Sequence, residues 1–374
     1  MAKTTTPAIR PNDQRIPTRS TASRNSTTHR TTVVYPVSMA FAAPRPNALS
    51  PHVTKIARSG WVHCDAGRPD GMIGIGTRRA GSAAVEVEME MGIADLPRPV
   101  GYVLGGGGSL GAVQIGMLQA LGERDIPPDI VAGTSVGSLN GAVLALEPKS
   151  AANRLSHLWP RMTRDQVFPG GLIAQARTLQ HTRTHLFPSA GLATVVGDFI
   201  GADLTFADLA LPFAAVTTDI ATARPHVLRD GLLLPALLAS SAIPGIYPPV
   251  ELGSLRLYDG GLVANVPMRQ AVAMGARSLV VLDCNFPGGI PEVSGSIAEV
   301  LFYTVMVTIR SQAVLEAPLV AAEVPVVYLH GPEPVRISPL DFRQTGTLIE
   351  AAYEAARSFL DKLQVTGPGL YGSP

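Results

Sequence analysis

Ile130-Val131-Ala132-Gly133-Thr134-Ser135-Val136-Gly137 is the stretch on which the reading of this chain turns. A short apolar run ends in Gly-x-Ser-x-Gly, and a helix-forming segment, 136–146, follows it. A serine held on a sharp strand-to-helix turn needs small residues two before and two after it, because strand and helix approach closely there. Gly133 and Gly137 meet that need. The turn would put Ser135 Oγ at the N-terminus of the helix, where free N–H groups and the helix dipole favour negative charge. The same five residues also suit a plain β-α turn whose serine caps a helix, so the neighbouring segments must discriminate.

Upstream, 100–104 reads as an apolar strand that runs into Gly105-Gly106-Gly107-Gly108-Ser109-Leu110-Gly111 and then a helix over 110–121 with Val113, Met117 and Leu118 on one face. A strand over 129–132 and the helix over 136–146 complete a second unit, and strand-helix-strand-helix at this spacing indicates parallel β-α units. Further strands are expected at 213–217, 255–258, 278–282 and 324–329, and helices at 231–241, 267–274 and 345–363. Between Leu155 and Ala202 the pattern weakens, and this insert is a candidate to carry helices over the site. No internal repeat is present.

The glycine loop admits two chemistries. Gly106-x-Gly108-x-x-Gly111 matches a dinucleotide fingerprint, but such a site wants an acidic residue about 20 positions on, at the end of the second strand. Here that strand ends in Gly133-Thr134-Ser135, and Glu123, Asp125 and Asp129 all lie too early. An oxyanion cradle made of backbone N–H groups uses both glycine clusters at once, at the ends of neighbouring β-α units.

A serine hydroxyl needs a base. Asp259 in Tyr258-Asp259-Gly260-Gly261 ends a short strand, and the glycine pair would let the backbone bend and aim its carboxylate at the sheet end; Asp-Gly is also a common turn. The rival is His330, the one histidine after Asp259, at the end of the strand over 324–329. The residues alone leave both open.

Taken together in this order, Gly106-x-Gly108-x-x-Gly111, Gly133-x-Ser135-x-Gly137 and Asp259-Gly260-Gly261 resemble the patatin-like phospholipase family. Thr218-Asp219, Ala239-Ser240-Ser241-Ala242-Ile243-Pro244 with Pro248-Pro249, and Asn265-Val266-Pro267 extend the resemblance to bacterial members, over about 100–363. The resemblance implies an α/β fold, a three-layer α/β/α sandwich with a mainly parallel central sheet. It implies a Ser-Asp dyad with no histidine, Ser135 as nucleophile and Asp259 as base. It also implies an oxyanion hole at Gly106, Gly107, Gly108 and Gly111, the elbow glycines being Gly133 and Gly137. The activity implied is serine hydrolysis of carboxylic esters in lipids, of phospholipase A, lysophospholipase or esterase type. Family members often carry Arg or Lys just before the last loop glycine, where this chain has Leu110. Apolar walls for an acyl chain are expected at 232–238 and 243–247. Alternatives are an acyl-binding or regulatory protein on the same fold and, less favoured, a dinucleotide-binding protein.

The remaining composition narrows the partners. Thirty Lys and Arg against twenty-nine Asp and Glu give a net charge of +1, which offers no electrostatic footprint for nucleic acid. Cys64 and Cys284 are far apart, without a C-x-x-C spacing, so neither a thiolate metal site nor a disulfide framework is expected. Asp165, Asp198, Asp203 and Asp208 do not have calcium-loop spacing. No cofactor or metal is expected; the partner is a lipid or acyl-ester substrate. The longest uncharged apolar stretch, 231–250, is broken by Pro235, Pro244, Pro248 and Pro249, whereas a spanning helix takes about 20 apolar residues. The expected location is cytoplasmic, with at most peripheral contact at a membrane. The first 95 residues, rich in Thr, Ser, Arg and Pro, are expected to be a disordered extension, with a misplaced start as one origin of it; the catalytic domain is expected over 96–365 and a flexible tail over 366–374.

Overall fold

The computed structural model describes residues 92–285, 297–332 and 338–374. Almost all of the extension expected over 1–95 lies outside the described residues; Ile93–Asp95 forms a short 3-10 turn.

Four strands with near-continuous apolar sequence lie side by side: β1 (Val100–Leu104), β2 (Ile130–Thr134), β7 (Ser278–Leu282) and β8 (Pro325–Leu329), every residue buried. Strands covered on both faces read this way rather than alternating. The others are β3 (Phe213–Asp219), β4 (Arg224–Leu228), β5 (Val250–Leu252), β6 (Leu255–Asp259) and β9 (Gly369–Gly372). The nine-stranded sheet runs β5-β6-β3-β2-β1-β7-β8-β9, with β4 also on β3. From β3 to β9 the pairings are parallel, while β6 and β4 run antiparallel to β3.

Eleven helices are described: α1 (Ala112–Gly122), α2 (Val136–Leu146), α3 (Ala151–Leu158), α4 (Arg164–Val167), α5 (Leu172–Thr182), α6 (Ala190–Ile200), α7 (Leu233–Ser240), α8 (Gly261–Ala264), α9 (Met268–Ala273), α10 (Ile297–Ala321) and α11 (Thr345–Leu360). Side chains alternate across the sheet with period two. Tyr102, Leu104, Val131, Ala215, Val280, Leu282 and Val327 join a core with α1, α2, α6, α7 and α11. Val103, Ala132, Ala214, Val281 and Val326 join the opposite one with α9 and α10. Helices on both faces of a mainly parallel sheet make the three-layer α/β/α sandwich expected from the sequence.

One expectation is corrected, one open segment is filled in and one helix is added. The residues expected as a flexible tail over 366–374 include β9, which pairs in parallel with β8; glycine is tolerated at a sheet edge because little side-chain packing is needed there. The unpatterned stretch 155–202 holds three helices, α4 to α6. Finally, α10 is a helix where β-branched Thr304-Val305-Met306-Val307-Thr308-Ile309 lowers helix propensity; packing against α8 and α9 overrides it.

Candidate active site

The pairing partners of β3 bring the site together. On one edge of β3, Val216 pairs with Thr134 of β2, and the next residue, Thr217, pairs with Asp259 of β6. Because β4 pairs with both Val216 and Thr217, it occupies the other edge. Strands β2 and β6 therefore run toward each other along a single edge and meet at their C-terminal ends. Ser135 and Asp259, far apart in sequence, sit at that meeting point. The loop after β1 opens at the same end of the sheet, where ligand sites of open α/β sheets form.

Ser135 has φ 54° and ψ −128°, a conformation uncommon for a non-glycine residue and maintained only by its surroundings. Its N–H donates to Ser240 Oγ (3.0 Å), which donates in turn to Val216 O (2.7 Å). Its carbonyl accepts from Ser138 Oγ at 2.7 Å. The Ser135 hydroxyl lies near enough to the Asp259 carboxyl to favour its ionised form. Oδ1 of Asp259 accepts the Gly261 N–H at 2.7 Å, and Thr218 Oγ1 donates to the Asp259 carbonyl at 2.8 Å. Burial pushes the Asp259 carboxyl up to about 6, while the Ser135 hydroxyl and the Gly261 N–H pull it back down.

The elbow depends on the two glycines flanking Ser135. A Cβ on Gly133 would lie 2.3 Å from Gly137 O, and one on Gly137 would lie 2.2 Å from Leu104 O. The loop after β1 lies against the nucleophile, since a Cβ on Gly106 would come within 3.1 Å of Ser135 Cβ.

The set of loop donors needs correcting. The Gly106 N–H is committed to Asn265 O at 3.1 Å, and Asn265 Nδ2 reaches back to Gly106 O at 3.3 Å. Gly111 closes the 3-10 turn Gly108–Gly111, and a Cβ there would lie 2.5 Å from Val136 Cγ2; it provides space rather than a donor. Among the described residues, the N–H groups of Gly107, Gly108 and Val136 have no hydrogen-bond partner. Val136, the first residue of α2, was not singled out by the sequence, although the amide after an elbow nucleophile commonly serves in this way.

His330 follows β8, three strand positions from β2 in the sheet. At about 4.8 Å per strand it lies on the order of 14 Å from Ser135, and its Nδ1 contacts Gly331 O instead.

A buried polar chain supports the loop. Gln114 Nε2 donates to Gly105 O (2.8 Å) and Leu282 O (3.0 Å). Asn140 Nδ2 donates to Gly111 O (3.0 Å) and Gln114 Oε1 (2.8 Å), and Trp159 Nε1 donates to Asn140 Oδ1 (3.0 Å). Gln114 and Asn140 are fully buried on otherwise apolar helices. A lone amide in the middle of an apolar helix is the sequence signal that would have found them, because buried polar groups demand partners.

Beside Ser135 a cavity of about 50 Å³ is lined by Trp159, Phe168, Leu192, Ile243, Tyr247 and Phe342, among others. The wall expected at 243–247 is borne out by Ile243 and Tyr247. The other expected wall is not: Leu233 and Leu237 lie in the core and Leu232 is exposed. Six further lining residues, Trp159, Met162, Val167, Phe168, Leu192 and Val195, come from the unpatterned insert. At about 50 Å³ the cavity has room for a few water molecules and, in this conformation, not for a long acyl chain. A larger cleft, about 540 Å³, lies on the far side of α1 between Glu123, Lys149 and Tyr353 and shares no lining residue with this cavity. Among the described residues no group of three or more His, Cys, Asp or Glu could hold a metal ion.

Residues 102–272 match the family described as patatin-like phospholipase. Patatin-like phospholipase domain-containing protein 7 of Mus musculus is 34% identical over 190 residues, 49% of this chain and 13% of its own length. Lysophospholipase NTE1 of Mycosarcoma maydis is 34% identical over 193 residues, 49% of this chain and 10% of its own. The crystal structure of VipD from Legionella pneumophila aligns with a TM-score of 0.42 at 15% identity, over 72% of this chain and 68% of that one, too distant to carry fold or function. The chain thus spans only an eighth to a tenth of the curated relatives it matches. These matches place a patatin-like phospholipase domain over residues 102–272.

Proposed function

We propose that the protein hydrolyses carboxylic esters of lipids through Ser135 and Asp259. The observation that carries this reading is the placement of Ser135, by the meeting of β2 and β6 on β3, next to the buried Asp259 carboxyl and an apolar cavity. Ser135 Oγ attacks the ester carbonyl while Asp259 accepts its proton. The N–H groups of Gly107, Gly108 and Val136 hold the oxyanion. The protonated Asp259 returns the proton to the departing alkoxide, and water then repeats the sequence on the acyl-serine. Relatives named lysophospholipase and patatin-like phospholipase support a lipid ester as substrate. The catalytic unit extends past residue 272, since Phe342 lines the cavity and α11 packs along α1.

A fluorophosphonate should form an adduct on Ser135, and the purified chain should hydrolyse p-nitrophenyl esters with short acyl groups fastest, given the closed cavity. His330→Ala should keep wild-type kcat/KM within about twofold. Loss of turnover in folded His330→Ala would make the base a histidine, and an inert, unlabelled wild type would leave an acyl-binding protein.

The base must be ionised. With Asp259 raised to about 6, kcat/KM should reach a plateau above about pH 7 and fall about tenfold per unit below pH 6. A profile flat down to pH 4 would mean that Asp259 does not take the proton.

A further inference from the structure

Helix α5 has no buried residue, and no other described helix or strand packs along it. Its apolar side chains are turned to solvent: Leu172 is 83% exposed, Ile173 81% and Leu179 44%. At 100° per residue Leu172, Ala176 and Leu179 fall on one stripe, Ile173 lies about a quarter turn from it with Arg177 next to Ile173 on the same flank, and His181 lies opposite the stripe. A soluble surface gains nothing from such a stripe.

Two further observations identify what covers it. Both ends of α5 are tied to the wall of the cavity: Phe168, just before it, lines the cavity, and Leu186 and Phe187, just after it, bond to Gly245 and Ile246 between the lining residues Ile243 and Tyr247. In addition, residues 166–197 contain no Asp or Glu, but do contain Arg177, Arg183, His181 and His185. An apolar stripe flanked by cations, with no acid, is complementary to an anionic lipid surface.

We propose that α5 seats this protein on an anionic lipid bilayer, with Leu172, Ile173 and Leu179 among the acyl chains and Arg177 and Arg183 at the headgroups. This surface deepens the hydrolase reading, on which it rests for the nature of the substrate. Seating α5 would bring the cavity beside Ser135 to the layer where lipid esters lie, and would pull on the segments that close its wall.

The test uses the full chain and vesicles of phosphatidylcholine alone or mixed with phosphatidylglycerol. Wild type should sediment with the mixed vesicles, and Leu172→Glu/Ile173→Glu should lower the bound fraction at least tenfold. Both residues project into solvent, so this variant should fold and hydrolyse p-nitrophenyl butyrate at the wild-type rate. In Leu172→Trp, a blue shift of emission beyond that of wild type should appear on adding mixed vesicles. Equal sedimentation of wild type and the double variant, or an unshifted Leu172→Trp, would overturn the proposal and assign α5 to a protein partner, a second copy or another part of this chain. Absence of all esterase activity alongside α5-dependent binding would instead overturn the hydrolase reading and leave the surface standing.

Discussion

Asp259→Asn is expected to lower kcat/KM for a soluble ester by about 10³–10⁴-fold, the range typical of removing a positioned general base. Ser135→Ala should do at least as much, and the double variant should be no worse than Ser135→Ala alone, because the two groups act on one proton. Stability should move the other way. Asp259 titrates near 6 in the folded chain against an ordinary 3.8, so between those values the native state binds more protons than the unfolded one. Stability therefore falls as pH rises from about 4 to 6, and above that range the buried charge costs up to about 3 kcal/mol. Asparagine carries no charge and its Oδ1 can still accept the Gly261 N–H. Asp259→Asn should thus melt several degrees above wild type at pH 8 and level with it at pH 4. A lower melting temperature at pH 8 would show that the carboxylate holds the fold together rather than straining it.

Gly137→Ala is the second large effect. A single methyl there would lie 2.2 Å from Leu104 O, 2.5 Å from Leu104 C and 2.6 Å from Gly105 O, all backbone atoms that no rotamer change can move aside. The end of β1 must retreat from α2, carrying Gly107 and Gly108 with it. Displacements near 1 Å cost about 100-fold in rate, and overpacking costs about 1–3 kcal/mol or more. Both kcat/KM and Tm should therefore fall, even with Ser135 and Asp259 intact. Gly197→Ala in α6 is the matched control: nothing lies within 4 Å of its Cβ, so the exchange should be neutral or stabilise by up to about 1 kcal/mol. Similar behaviour of the two variants would mean that the elbow tolerates displacement.

What was legible in the sequence follows from how local each signal is. Strands β1, β2, β7 and β8 are apolar from end to end, and glycine clusters mark the two turns at the site, so these elements stood out. The partnership of Ser135 with Asp259 depends on β3 pairing with two strands on one edge, which no local pattern encodes; resemblance to known sequences supplied it. The commitment of the Gly106 amide to Asn265 is likewise a long-range contact. The insert was hard to read because α5 faces solvent and α4 is a single turn; the stripe Leu192, Val195, Val196, Phe199 and Ile200 of α6 was the one helical signal there and was passed over.

The end-to-end meeting of β2 and β6 on β3 has an architectural consequence. Ser135 and Asp259 are both indexed to adjacent residues of one strand, whereas the chain between Ser135 and β3 wanders through α2 to α6 and back. That excursion can lengthen, shorten or be exchanged for another without altering the spacing of the reacting groups, provided α2 is kept. It supplies Trp159, Met162, Val167, Phe168, Leu192 and Val195 of the cavity, so under the proposed hydrolase reading a cassette grafted at residues 151–205 should carry its own chain-length preference onto unchanged chemistry.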